Sequence, residues 1–120
     1  MIRALVTDDS RVMRQIVIRT LRQAGYDWDV REAADGVEAL AAIRAEEPDV
    51  VLSDWNMPNM TGIELLRGLR AAGYQTPFGF VTSEGSPEMR STAEEAGALF
   101  LIAKPFTPEA FREVIEPVLA

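Results

Sequence analysis

Six residues have the types and the spacing to do chemistry together. Asp8 and Asp9 follow the apolar run IRALVT, Asp54 follows DVVLS, Thr82 and Ser83 close the run PFGFV, and Lys104 closes LFLIA just ahead of Pro105. The chain contains no histidine and no cysteine, which excludes disulfides, thiol nucleophiles, Ser-His-Asp triads and ordinary zinc sites. Carboxylates, hydroxyls, ammonium and guanidinium groups and the backbone remain. A metal held by such a set is a hard, oxygen-seeking ion such as magnesium. Three carboxylates brought together repel and raise one another's pKa unless a cation sits among them. Lys104 supplies one positive charge, and a divalent ion would supply two more. A carboxylate beside such an ion can attack phosphorus and form an aspartyl phosphate. Lys104, Thr82 and backbone N–H groups after Asp54 would receive the phosphoryl oxygens. That reaction asks for positioning more than for acid–base groups, so the missing histidine is no obstacle.

Taken singly, each residue has a plainer reading. An aspartate at a strand end is a turn or cap residue, a lysine before proline is a solvated loop residue, and a strand threonine has a satisfied hydroxyl. Only their joint placement argues for a site, and that depends on the elements carrying them. IRALVT, WDVREA, DVVLS, PFGFVT and LFLIA read as short strands, mostly apolar throughout rather than alternating. Between them lie helical segments. In SRVMRQIVIRTLRQAG, Met13, Ile16, Val17, Thr20, Leu21 and Ala24 form one stripe, with Ser10 and Gly25 as caps. In DGVEALAAIRAEEP, Val37, Leu40, Ala41 and Ile43 or Arg44 share the face expected to pack. TGIELLRGLRAAG and SPEMRSTAEEAGA follow, the latter with Pro87 suited to a first turn. Thr107 and Pro108 begin TPEAFREVIEPVLA, which Pro117 is expected to end or kink. Gly79 reads as a weak point in its strand, and the end of the second strand, REAAD, offers no chemistry.

Five strands alternating with five helices predict an α/β domain over 1–120: a doubly wound, five-stranded parallel sheet covered on both faces. In such folds the site lies at the carboxyl ends of the strands, where all six residues fall. No apolar run approaches the roughly 20 residues that span a bilayer, and MIRALVTDD turns acidic too early for a signal peptide. A cytoplasmic location without membrane association is therefore expected. The net charge of −7 argues against binding to nucleic-acid phosphates.

TDDS, SDWNMPNMTG, VTSE and IAKPF, in that order at successive strand ends, resemble the receiver domains of two-component response regulators. SDWNMPNM together with MRQIV, DGVEAL and AKPFTPEAF is most similar to the single-domain chemotaxis regulators of that family. The resemblance spans essentially the whole chain. It implies a flavodoxin-like fold with strand order 2-1-3-4-5 and a cis Lys104–Pro105 peptide, a form that costs an X-Pro bond only about 0.5–1 kcal/mol. It implies Asp54 as phosphoacceptor. Magnesium would be bound by Asp9, Asp54 and the backbone carbonyl of Asn56, with Asp8 acting through a metal-bound water. Thr82, Lys104 and the backbone of Asn56 and Ser83 would contact the phosphoryl group, while Asn56 and Glu84 would tune its hydrolysis. The donor would be a histidine kinase, a histidine phosphotransfer protein or a small acyl phosphate. The output would be a protein target on the face built by the fourth helix, fifth strand and last helix of a monomer. Such a protein catalyses only its own phosphorylation and dephosphorylation.

Three positions depart from the family pattern. Leu101 stands where Tyr or Phe partners the Thr switch. Phe100 is adjacent, but neighbouring strand residues face opposite ways. Thr61 replaces an Asp that caps a helix, a role Thr can fill. Ser83 replaces Ala or Gly. Two other functions stay open: a magnesium-dependent aspartyl-phosphate phosphatase or phosphotransferase, for which Asn56 stands where a second Asp is wanted, and an interaction module that works without phosphorylation.

Overall fold

Ala4, Leu5 and Val6 are buried on both sides of their strand, as a central parallel strand requires. The computed structural model describes residues 1–119. Its elements are β1 (Ile2–Thr7), α1 (Arg11–Gln23), β2 (Trp28–Ala33), α2 (Gly36–Ala45), β3 (Val50–Ser53), α3 (Gly62–Ala71), β4 (Phe78–Thr82), α4 (Pro87–Ala96), β5 (Phe100–Ala103) and α5 (Pro108–Leu119). The strands form one parallel sheet in the order β2-β1-β3-β4-β5, as expected.

Strand residues alternate between two cores. Ala4, Val6, Val50, Leu52, Val81 and Ile102 pack with Val17, Leu21, Phe111 and Ile115 of α1 and α5. Leu5, Val51, Phe78 and Phe80 pack with α2, α3 and α4 through Ile43, Leu65, Leu69 and Ala93. Gly79 is no weak point. The ring of Phe100, its neighbour in the ladder, occupies the space a Cβ would take, so only glycine fits.

Caps fix where the helices begin. Ser10 Oγ accepts from Met13 N–H, and Thr61 and Glu64 form a reciprocal capping box, so Thr61 does serve in place of Asp. Thr107 Oγ1 accepts from Ala110 N–H ahead of Pro108. Two expectations about helix faces fail here, and one of two outcomes expected at Pro117 is excluded. On α1, Ile16 is exposed and Ile18 is buried instead, because the stripe rotates toward α5. On α2, Gly36, Ala39 and Ile43 are the buried face; Val37 and Ala41 point outward. That helix is apolar nearly all round, so its sequence gave no polar edge to orient it, and the tight approach of Gly36 to Met60 decides the face. Pro117 does not end α5, which continues to Leu119. In the last turn it removes a single N–H donor. Among the described residues no helix is long and apolar enough to cross a membrane.

Candidate functional site

The β1–β3 register pairs Thr7 with Ser53, so the next residue of each strand, Asp8 and Asp54, leaves the sheet side by side. Backbone bonds hold both exits. Asp54 N–H donates to Thr7 O at 2.8 Å and Asp8 N–H to Ala33 O at 3.1 Å. Carboxylate oxygens of Asp8, Asp9 and Asp54 lie within 4.8 Å of one another. Asp8 is buried, Asp54 half-buried and Asp9 exposed. Asp8 is tied further by Ser10 N–H, which donates to its Oδ1 at 2.9 Å, and by the Arg14 guanidinium, which donates to its backbone carbonyl at 2.6 Å. Lys104 reaches in from β5, its Nζ 3.5 Å from Asp8 Oδ2. Lys104 N–H donates to Thr82 O, and the Lys104–Pro105 peptide is cis, as expected.

The sheet edge thus brings together four of the six predicted side chains, with Thr82 buried alongside. Thr82 Oγ1 accepts a long 3.4 Å bond from Glu84 N–H. Ser83 and Asn56 are exposed on the loops flanking the acids. Asp54 Oδ1 accepts from Trp55 N–H at 2.8 Å, and the Trp55 ring rests on Phe80 with centroids 4.7 Å apart. Burial pushes the Asp54 carboxyl above the ordinary aspartate range, and Asp8 pushes it further. Lys104 and the Trp55 N–H pull it back, and Asp9 adds a smaller upward push. Three crowded carboxylates facing one ammonium form a hard-oxygen donor set that is short of positive charge. The set fits a divalent cation.

Residues 4–116 match the family model for the response regulator receiver domain. The chain belongs to that family. Receivers are the phospho-accepting components of two-component systems, and this one has chemotaxis proteins among its relatives. It is 45% identical over 118 residues to a chemotaxis protein CheY homolog of Campylobacter jejuni, a match covering 96% of this chain and 90% of that protein. It is 42% identical over 118 residues to chemotaxis protein CheY1 of Helicobacter pylori, covering 96% and 94%. The solved structure of chemotaxis protein CheY4 of Vibrio cholerae superposes with a TM-score of 0.86 at 42% identity, covering 98% of each chain.

Leu101, where the resemblance implies an aromatic ring, is partly buried against the α2–α4 core while Phe100 faces the opposite core. The neighbouring ring therefore does not substitute for the missing one. Arg90 donates to the carbonyls of Gly85 and Leu101 at 3.3 and 3.2 Å, linking α4 to β5. Sequence reasoning missed two residues of the receiver. Asp35, in the segment read as offering no chemistry, is a buried N-cap: its Oδ1 accepts from Glu38 N–H at 2.8 Å and its Oδ2 from the Asn59 amide at 2.7 Å. Those two donors hold its carboxyl below the usual range. Asp-Gly ahead of a helical run was signal enough for the cap. Nothing local reveals its partner 24 residues away. Sequence reasoning also overlooked an apolar hollow beside Lys104, lined by Met13, Ile16, Pro105 and Phe106.

Proposed function

We propose that Asp54 accepts a phosphoryl group from a phosphohistidine of a histidine kinase or histidine phosphotransfer protein, and that the receiver works as a chemotaxis-type switch or phosphoryl relay in the cytoplasm. The observation that carries this reading is the convergence of Asp8, Asp9 and Asp54 on one point with Lys104 alongside. Magnesium, held by Asp9, Asp54 and the Asn56 backbone carbonyl with Asp8 acting through water, would offset the negative charge of carboxylates and phosphoryl oxygens alike.

The chain's own groups divide the rest of the work. Asp54 Oδ1 is occupied by Trp55 N–H, which leaves Oδ2 as the attacking atom. A bond forms from Oδ2 to phosphorus as the P–N bond of the donor breaks, and the imidazole leaves. Lys104 turns from Asp8 to a phosphoryl oxygen. Thr82 now accepts a long bond from Glu84, so its hydroxyl proton is available to a second oxygen. Backbone N–H groups of Asn56 and Ser83 take the remainder. The receiver catalyses only its own phosphorylation and dephosphorylation, the latter tuned by the exposed Asn56 and Glu84. Its output is a change in affinity for a protein target at the α4–β5–α5 face of a monomer. With Leu101 in place of a ring, the Thr82 hydroxyl and the β4–α4 loop carry the signal to that face.

Intact mass after incubation with acetyl phosphate tests the reading. Wild type with magnesium gains one phosphoryl group, while Asp54→Asn, or wild type in chelator, gains none. An adduct that persists in Asp54→Asn overturns the assignment of the acceptor. Absence of any adduct on a folded wild type, from acetyl phosphate and from a histidine kinase alike, overturns the phosphoacceptor reading.

A further inference from the structure

The loop between β3 and α3 carries Asn56 past the acid cluster, and it is fastened at its far end. Asn59 adopts a left-handed backbone conformation, φ +67°, which non-glycine residues rarely take and asparagine tolerates best. Its side-chain amide donates to Asp35 Oδ2 at 2.7 Å, and Asp35 is buried at the start of α2. The next residue of the loop, Met60, lies so close to Gly36 that a Cβ there would come within 2.7 Å of both Met60 Cβ and Met60 O. At its other end the loop closes on itself, Gly62 N–H donating to Trp55 O at 2.9 Å. The path from Trp55 to Gly62 is thus closed at Trp55 and held at Asp35 and at Gly36.

We infer that Asn59 and Asp35 form a clamp that positions the β3–α3 loop for cation binding. They are positioning residues: neither lies in the acid cluster, and they act by fixing the loop that presents the Asn56 carbonyl. The inference rests on the proposed magnesium site. Their roles are unequal. Asp35 also caps α2 through Glu38 N–H, whereas the Asn59 amide serves the clamp alone. Asn59→Gly therefore isolates the clamp, because glycine keeps the left-handed conformation and loses only the amide. Exchanging the partners, Asp35→Asn with Asn59→Asp, should rebuild it with donor and acceptor reversed. Asparagine caps a helix as well as aspartate does.

The test uses the full chain, magnesium alone as ligand, and two readouts besides phosphorylation: Trp55 fluorescence for affinity, and hydrogen exchange of the loop amides without metal. Asn59→Gly should speed exchange across residues 56–61 and weaken magnesium binding about tenfold, the lower end for a group acting behind the ligands. The double exchange should recover most of that loss. Unchanged affinity in Asn59→Gly overturns the inference, whether or not exchange quickens, since the pair would then be structural only. Failure of the double exchange to recover affinity, in a protein whose α2 is intact by exchange, also overturns it. Failure of the wild type to bind magnesium would overturn the site reading and the inference with it. That result is distinguishable, because it appears before any variant is made.

Discussion

The two edges of the sheet handle charge in opposite ways. At the amino edge, where β1 and β3 begin, charges are wet, and the ion pair there is exposed. Arg3 N–H donates to Asp49 at 2.8 Å, the Arg3 guanidinium meets Glu46 at 2.7 Å, and Arg31 donates to the Glu46 carbonyl at 2.7 Å. Both side chains of the Arg3–Glu46 pair are about half exposed, at 45% and 54%. At the carboxyl edge three carboxylates share one ammonium, and two of the three are wholly or partly withdrawn from water. The same strands thus begin among exposed charges that water screens and end in an acid cluster partly withdrawn from water and short of positive charge. A protein selected for stability alone would pair Asp54 or replace it. Leaving the charge uncompensated lowers the stability of the free domain and raises its affinity for whatever brings positive charge.

The largest expected effect follows from filling that deficit. Magnesium at about a hundred times its Kd should stabilise the wild type by about 2.7 kcal/mol, read as a rise in Tm. Asp8→Asn should remove most of the gain, and an equal gain in that variant would show that the cluster is not where the ion binds. The next effect concerns pH without metal. The Asp54 pKa is raised in the folded state, so between the unfolded and folded values the unfolded chain binds fewer protons, and stability falls as pH rises through that window. Asp54→Asn, uncharged throughout, should exceed wild type in stability at neutral pH, by a margin that solvent screening at this half-buried site keeps small. The advantage should shrink as pH falls through that window and vanish well below the ordinary aspartate pKa of about 4, where the acid is protonated in both states. Melting curves across pH with chelator check this, and a pH-independent gap would sever the edge's strain from the Asp54 charge. The smallest effect belongs to the amino edge. Arg3→Ala breaks an exposed pair, so its melting curve should lie close to wild type and its magnesium affinity should be unchanged. A large loss in either would erase the contrast between the edges.

How much of this could be read beforehand depended on whether the signal was local. Element boundaries and the placement of Asp8, Asp9, Asp54, Thr82 and Lys104 followed from apolar runs and turn residues close together in sequence, while the strand order came from the family resemblance alone. The failures share a different cause. The α2 face was misread because Val37, Leu40, Ala41 and Ile43 leave no polar side to set its rotation, and Met60 of a distant loop decides it. Pro117 does not end its helix because a proline in a last turn costs one donor rather than a helix. The Asp35–Asn59 bond and the Phe100 ring over Gly79 are contacts between elements, visible only once the chain has folded.

The last of these contacts has an evolutionary consequence. A ring at 100 and a bare Cα at 79 occupy one space between adjacent strands. Neither β4 nor β5 can explore larger or smaller residues there independently. An alanine at 79 is blocked while the ring remains, and loss of the ring opens a gap that glycine cannot fill. A mutational path through this pair has a required order, Phe100 shrinking first and Gly79 growing after. The strand that ends in Thr82 and the strand that leads into Lys104 are therefore constrained to change together at this point.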